Sequence, residues 1–106
     1  MGITKTESFS AEQNQIADFA KAFSHPARVA IIEYLLKKQT CICGDLVEAL
    51  PLSQSTISQH LKELKRIGII QGEIEGPKVC YYINAEAWQK AKEMLGKVFN
   101  LHSSCC

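Results

Sequence analysis

The chain lacks the features that mark several common classes of protein. No run approaches the ~18 apolar residues of a membrane-spanning helix, and the N-terminus has no apolar signal-peptide core. There is no strand-to-helix Cys-x-x-Cys, no glycine-rich phosphate loop and no paired acid and base, so an enzyme such as a small dithiol oxidoreductase ranks last. We therefore expect a cytoplasmic protein that has no membrane partner and is not an enzyme.

A strong charge of one sign is also missing. The 106 residues carry a net charge of +1, and 46% of them are hydrophobic, which is enough for one compact core. A DNA-binding chain of this kind needs segregated charge, because phosphate neutralisation supplies most of the affinity. Basic side chains do cluster at Lys62, Lys65 and Arg66. We expect a flexible N-terminus over 1–9, one domain over 10–100, and a cysteine-containing tail over 101–106.

Capping residues mark the start of each predicted helix. Ser10 and Gln13 form a capping-box pattern, and Asn84 caps the last helix. Pro26 suits the first position of a second helix that runs to about Lys38. His25, just before it, is interpreted as a residue that caps backbone groups rather than as a ligand or a catalytic base.

Two further helices occupy the middle of the chain, and a hairpin follows them. A short helix begins near Gly44 and ends by Leu50, and a second helix is entered at Ser53 and ended by Gly68. The β-rich runs 69–74 and 78–83 flank a Glu-Gly-Pro turn. The fold class is therefore mainly α (α+β), with about five helices and a two-stranded β-hairpin.

The helix entered at Ser53 has the pattern of a DNA-reading helix. Ile57, Leu61 and Leu64 form an apolar stripe, and short polar side chains occupy the opposite side of the first turn and a half. Such a helix can lie in a major groove, with polar groups against base edges and basic groups near phosphates. The alternative is an ordinary amphipathic helix with a solvated face. The candidate DNA contacts on this helix are Gln54, Ser55, Thr56, Ser58, Gln59 and Lys62.

The hairpin after this helix has the position of a wing, which makes the fold a winged helix-turn-helix. Lys78 near the hairpin tip is a further candidate contact, to a phosphate beside the adjoining minor groove, although a solvated lysine is equally compatible with the spacing. The first and last helices carry wide apolar faces, which predict a homodimer formed through those two helices. A two-fold dimer places two reading helices about one DNA turn apart and so suits an inverted-repeat operator on double-stranded DNA.

The order of elements resembles the ArsR/SmtB family of bacterial winged-helix repressors. The resemblance is carried by FSHPARVAIIEYL, GDLVEALPLSQSTISQHLKELKRIGII and VCYYI, within Phe19 to Phe99. It implies a homodimer bound to an operator and released by a metal ion, arsenite, or thiol oxidation or persulfidation. It also implies that the family's contacts with bases and phosphates fall on Gln54, Ser55, Ser58 and Gln59.

Five cysteines supply candidates for the release mechanism. In Cys41-Ile42-Cys43 the two thiols would lie on the same side if the segment is extended. They could then chelate As(III), Cd(II), Zn(II) or Cu(I) as an inducer, and no cofactor is otherwise required. Cys105 and Cys106 are further candidate ligands or a resolving pair, and His102 beside them is either a ligand or a solvated tail residue. Cys80, in contrast, is assigned to the core.

The resemblance fails in one detail of this segment. Family members that bind metal here carry a Cys-Val-Cys-Asp-Leu type of motif. Anchored on Asp45-Leu46, this chain has Ile42 and Gly44 where those cysteines would stand. A shift of one residue exchanges the faces of an extended segment, so Cys41 and Cys43 could instead fill apolar packing positions.

Four functions follow from these observations. The first is a DNA-binding repressor released by a thiophilic metal or metalloid at cysteines, with a thiol redox or persulfide response as its alternative. The second is a repressor with no small-molecule input. The third is a winged helix that binds protein, and the fourth is the enzyme that ranks last.

Overall fold

The computed structural model describes residues 8–38 and 46–102, without the side chains of Val47 and Glu75. Three predicted features lie partly outside these residues. They are the N-terminal segment, of which 1–7 are not described, the start of the third helix near Gly44, and residues 103–106 of the tail. The elements in chain order are α1 (Ala11–Lys21), α2 (Pro26–Lys38), α3 (Leu46–Ala49), α4 (Gln54–Ile67), β1 (Ile70–Glu75), β2 (Lys78–Ile83) and α5 (Ala85–Phe99). This is the predicted winged helix-turn-helix of five helices and one hairpin.

The helix starts confirm the predicted caps. Ser10 and Gln13 form the capping box, in which each side chain accepts a hydrogen bond from the other residue's backbone N–H, at 3.0 Å in both cases. His25 Nδ1 accepts from the N–H of Ala27 at 2.9 Å, so its ring caps the start of α2 as expected. The Asn84 side chain accepts from the N–H of Ala87 at 3.2 Å and caps α5.

The spacing of Phe19 and Phe23, four residues apart, predicts that both lie on the first helix, but α1 ends at Lys21 and Phe23 lies in the turn before α2. The predicted bounds of the first strand also differ from the structure. Strand β1 begins at Ile70 rather than at residue 69 and continues to Glu75. Ile69 is fully buried next to the αL residue Gly68, so it completes the turn out of α4 before strand pairing begins.

The core lies between α2, α4 and the base of the hairpin. Ile31, Ile32 and Leu35 of α2 are almost completely buried, so α2 forms the centre of the core. They share one cluster with the predicted stripe Ile57, Leu61 and Leu64 of α4. Each such side chain contributes roughly 1.5–3 kcal/mol of transfer free energy, so this packing fixes which face of α4 points outward.

The wing is a regular antiparallel hairpin. Ile70 pairs with Ile83 at its base, and Glu75 pairs with Lys78 beside the turn. Gly76 in the turn has φ 62°, a left-handed conformation that glycine adopts without steric cost. No helix in the described part of the chain is long and apolar enough to cross a membrane.

Candidate nucleic-acid interface

A network of hydroxyl groups organises the N-terminus of α4. Ser53 Oγ accepts a hydrogen bond from the N–H of Thr56 at 3.3 Å, donates to Thr56 Oγ1 at 2.9 Å, and lies 3.2 Å from Ser55 Oγ. A serine at the N-cap satisfies one of the free N–H groups at the start of the helix and so holds the first turn in place. This turn is the part of a recognition helix that meets base edges.

Most of the predicted contact residues on α4 are accessible. The side chain of Thr56 is half-buried and its hydroxyl is engaged by Ser53, so Thr56 belongs to the capping network rather than to the free polar surface. The other predicted side chains point away from the core stripe and form a polar surface on α4. These exposed residues are Gln54, Ser55, Ser58, Gln59 and Lys62.

The basic end of α4 offers fewer free charges than the sequence suggests. Arg66 donates two hydrogen bonds to the Glu63 carboxylate, at 2.8 Å from Nε and 2.7 Å from Nη2. These bonds, together with the positive charges of Arg66, Arg28 and Lys21, lower the pKa of Glu63 against a smaller opposing effect of burial. Within the described residues, Lys62 and Lys65 form no ion pair. The two lysines are therefore the free cations of this helix.

The wing places Lys78 at an exposed position beside its tip. On the same hairpin, the Tyr82 hydroxyl donates a hydrogen bond to Glu73 Oε1 at 3.1 Å. The pKa of Tyr82 is raised, mainly by burial and secondly by this hydrogen bond. Ile74, opposite Val79 in the strand pair, is 82% exposed. The wing tip therefore exposes an apolar side chain, Ile74, and one cation among the described residues, Lys78.

A second group of side chains links α4 to the turn between α1 and α2, and sequence reasoning missed it. Arg28 Nη1 donates to the Lys21 carbonyl at 2.7 Å and to Ser24 Oγ at 3.2 Å, while its Nε donates to His60 Nδ1 at 3.2 Å. The rings of His25 and His60 lie 4.7 Å apart. No local pattern connects residues 28 and 60, so only the tertiary structure reveals their contact.

An apolar surface is formed by α5 and the turn after α1. Phe23, Trp88, Leu95 and Phe99 line a groove of about 480 Å³, and the Phe23 and Trp88 ring centroids are 6.0 Å apart. Phe99 is 72% exposed and Leu101, beyond the end of α5, is 78% exposed, but Phe19 of α1 is only 2% exposed. The exposed apolar face expected of both helices is therefore present on α5, whereas the largest apolar side chain of α1 faces the core. Lys97 of α5 lies 3.6 Å from Glu12 of α1 and ties the two helices together.

The cysteines predicted as sensors, Cys41, Cys43, Cys105 and Cys106, all lie outside the described residues. Cys80 is 2% exposed, which agrees with its assignment to the core, but it is also disulfide-bonded. In residues 8–38 and 46–102 no three His, Cys, Asp or Glu side chains are grouped as metal ligands.

The arrangement of α3, α4 and the hairpin defines a winged helix-turn-helix protein, and comparisons with known proteins identify its family. Residues 25–71 match the pattern of the bacterial regulatory protein, arsR family. The regulator YgaV of Escherichia coli is 32% identical over 85 residues, which cover 80% of this chain and 86% of that protein. The chain belongs to the arsR family of bacterial regulatory proteins, and its relatives are transcription regulators rather than enzymes.

Other relatives agree in fold and class. The repressor SmtB of Mycobacterium tuberculosis is 41% identical over 64 residues, which cover 60% of this chain but only about half of SmtB (47%). The solved structure of HlyU from Vibrio cholerae superposes with a TM-score of 0.68 at 27% identity and covers 89% of this chain and 98% of that one. The likeness to SmtB thus concerns the shared domain and not its whole length.

Proposed function

We propose that this protein is a homodimeric transcriptional repressor that binds an inverted-repeat operator in double-stranded DNA through α4 and the wing. The observation that carries the proposal is the exposed polar surface of α4, which begins at a well-capped N-terminus and faces away from the core. Gln59 can pair with an adenine edge, and Ser55 and Ser58 can bond to several bases. Lys62 supports phosphate contact, because it is exposed and unpaired among the described residues.

The operator can be sought without knowing the regulated gene. Purified protein should enrich sequences from a random duplex library, and the enriched sequences should contain two inverted half-sites whose centres lie about 34–36 Å apart. The Gln59→Ala variant should enrich a less defined sequence, while a matched change on α5, Gln89→Ala, should leave the selection unchanged. A library that shows no enrichment even at low ionic strength would contradict the proposal.

The dimer is proposed to form through α1 and α5, with the apolar surface of α5 and the turn after α1 in the contact. Phe99 is exposed in the single subunit, so Phe99→Glu should leave the fold intact and yet place a charge in the contact between subunits. Sedimentation should show a dimer for the parent protein and a monomer for the variant. Ile74→Glu, an equivalent change on the exposed wing, is the control that should remain dimeric. A parent protein that sediments as a monomer at micromolar concentration would refute this part of the proposal.

We further propose that reaction of the cysteines releases the repressor from DNA. The disulfide at Cys80 supports the oxidative form of this proposal, because two thiols give up two protons and two electrons as a peroxide is reduced to water. The alternative is binding of a soft ion, As(III), Cd(II), Zn(II) or Cu(I), by thiolates that include Cys41 and Cys43. Cys105 and Cys106 are the other proposed participants.

One titration distinguishes these two forms. The reduced protein, bound to a fluorescent operator, is treated with each ion or with peroxide while thiolate absorbance and DNA release are followed together. Under the oxidative form, Cys80→Ser should resist release by peroxide. Under the metal form, at least one of the ions should release the Cys80→Ser variant from the operator to the same extent as the parent protein. If no treatment releases the parent protein, the repressor has no thiol-based input.

A further inference from the structure

The contact between Arg28 and His60 is an unusual attachment for a reading helix. His60 stands next to Gln59 in the sequence of α4, but its side chain turns towards α2, where Nδ1 accepts from Arg28 Nε at 3.2 Å. Arg28 is itself held by the Lys21 carbonyl at the end of α1 and by Ser24 Oγ in the turn. One guanidinium therefore links the end of α1, the following turn and the recognition helix.

This hydrogen bond requires a neutral His60. A guanidinium only donates, so the nitrogen that faces it must carry no proton. The pKa of His60 is lowered from its ordinary value of 6.5, first by burial of the ring and then by the charges of His25 and Arg28. Protonation would remove the acceptor and add a positive charge beside Arg28 and a histidine ring at 4.7 Å.

The other charged groups around this contact do not offset that charge. On α4, the Glu63 carboxylate one turn further on is bound by both donors of Arg66. On α1, Lys21 lies 3.7 Å from Asp18, so that pair is close to neutral. The group that faces His60 directly from α2 is Arg28. A proton on His60 thus meets net repulsion from the elements packed against it.

We propose that His60, held by Arg28, is a positioning residue that fixes the orientation of α4 for DNA reading, and that its protonation weakens operator binding. This inference rests on the proposed function. A small rotation of α4 about its axis displaces the neighbouring Gln59, and misplacement of a bidentate contact forfeits base discrimination. The two subunits of a dimer carry two such contacts, so their effects on one operator multiply.

The direction of the pH effect separates this role from a direct contact with DNA. A histidine that touched phosphate would strengthen binding when protonated, because it would add a neutralising charge. A histidine that must accept from Arg28 weakens binding when protonated. The lowered pKa of His60 lies below 6.5. As the pH falls through that pKa, operator affinity is expected to drop by up to roughly tenfold per pH unit for each subunit.

The test replaces the other two of the chain's three histidines, so that His60 is the histidine whose titration is followed. His25→Asn keeps a side-chain oxygen able to cap Ala27, and His102→Asn removes the histidine near the C-terminus. In this background, operator affinity is measured by fluorescence anisotropy from pH 5.5 to 8 at constant ionic strength. His60→Asn is then added as the matched control, because its side-chain oxygen can replace Nδ1 as an acceptor but does not titrate.

The expected result is a loss of affinity in acid that His60→Asn abolishes while it retains the affinity seen at pH 8. Equal pH profiles with and without His60 would overturn the inference, and so would tighter binding in acid.

Should His60→Asn fail to fold, Arg28→Lys provides the second test. A lysine at this position keeps the positive charge but cannot reach all three acceptors of Arg28, which are His60 Nδ1, the Lys21 carbonyl and Ser24 Oγ. The operator affinity of this variant should therefore be low even at pH 8. An Arg28→Lys protein with the parent affinity and pH profile would overturn the inference. Absence of operator binding by the parent protein at every pH would instead show that the proposed function has failed.

Discussion

Replacing Lys62 with alanine tests whether α4 contacts the DNA backbone. Lys62 is exposed, and no described acidic group pairs with it, so its charge is available to a phosphate. In a dimer the change removes two phosphate contacts, which lowers the slope of log affinity against log salt by about 1.8. Over a fourfold rise in salt, from roughly 50 to 200 mM, the parent protein should therefore lose about twelve times more affinity than the variant.

The measurement is operator binding by fluorescence anisotropy at five or more salt concentrations. Lys90→Ala on α5 is the matched control, because it removes the same charge from an exposed position outside the polar surface of α4. Its slope should equal that of the parent protein. If Lys62→Ala weakens binding by the same factor at every salt concentration, the lysine does not neutralise a phosphate, and the orientation assigned to α4 is wrong.

Three further predictions follow from the same helix and its ends. Glu63→Gln should free Arg66 for phosphate and raise both non-specific DNA affinity and its salt dependence, whereas Glu93→Gln on α5 should change neither. The pKa of Glu63 is lowered, so its pair with Arg66 contributes above the ordinary value of 4.5 and is lost only as the pH falls through the lowered value; binding at pH 6 and 8 should therefore show the same effect of Glu63→Gln. A Cβ added at Gly68 would meet no atom within 4 Å, so the cost of a substitution there comes from the φ of 97° alone. Gly68→Ala should therefore lower the free energy of unfolding by about 1 kcal/mol in urea denaturation, and Gly68→Asn by less, since asparagine tolerates this conformation; equal losses would contradict the backbone explanation. Ser53→Ala should cost about 1 kcal/mol in the same assay and should also weaken operator binding, because the first turn of α4 loses its cap; binding that stays unchanged would separate the cap from the reading surface.

The helix ends and the hairpin could be predicted because their signals are local. Ser10, Pro26 and Asn84 act on backbone groups within four residues of themselves, so the sequence alone contains both partners of each contact. The pairing of Arg66 with Glu63 was equally accessible, since residues three apart are neighbours on a helix. Thr56 shows the limit of pattern reading, because its type suits either a base contact or a cap.

Spacing along the sequence determined the polar surface of α4, because an apolar stripe at helical period must face the core and so sends the remaining side chains outward. The tertiary structure alone decided that His60 turns back to Arg28 and that Cys80 is disulfide-bonded. The physical reason is distance along the chain. A contact across 32 residues depends on how α2 packs against α4 in the folded core, and no capping rule or periodicity records that packing.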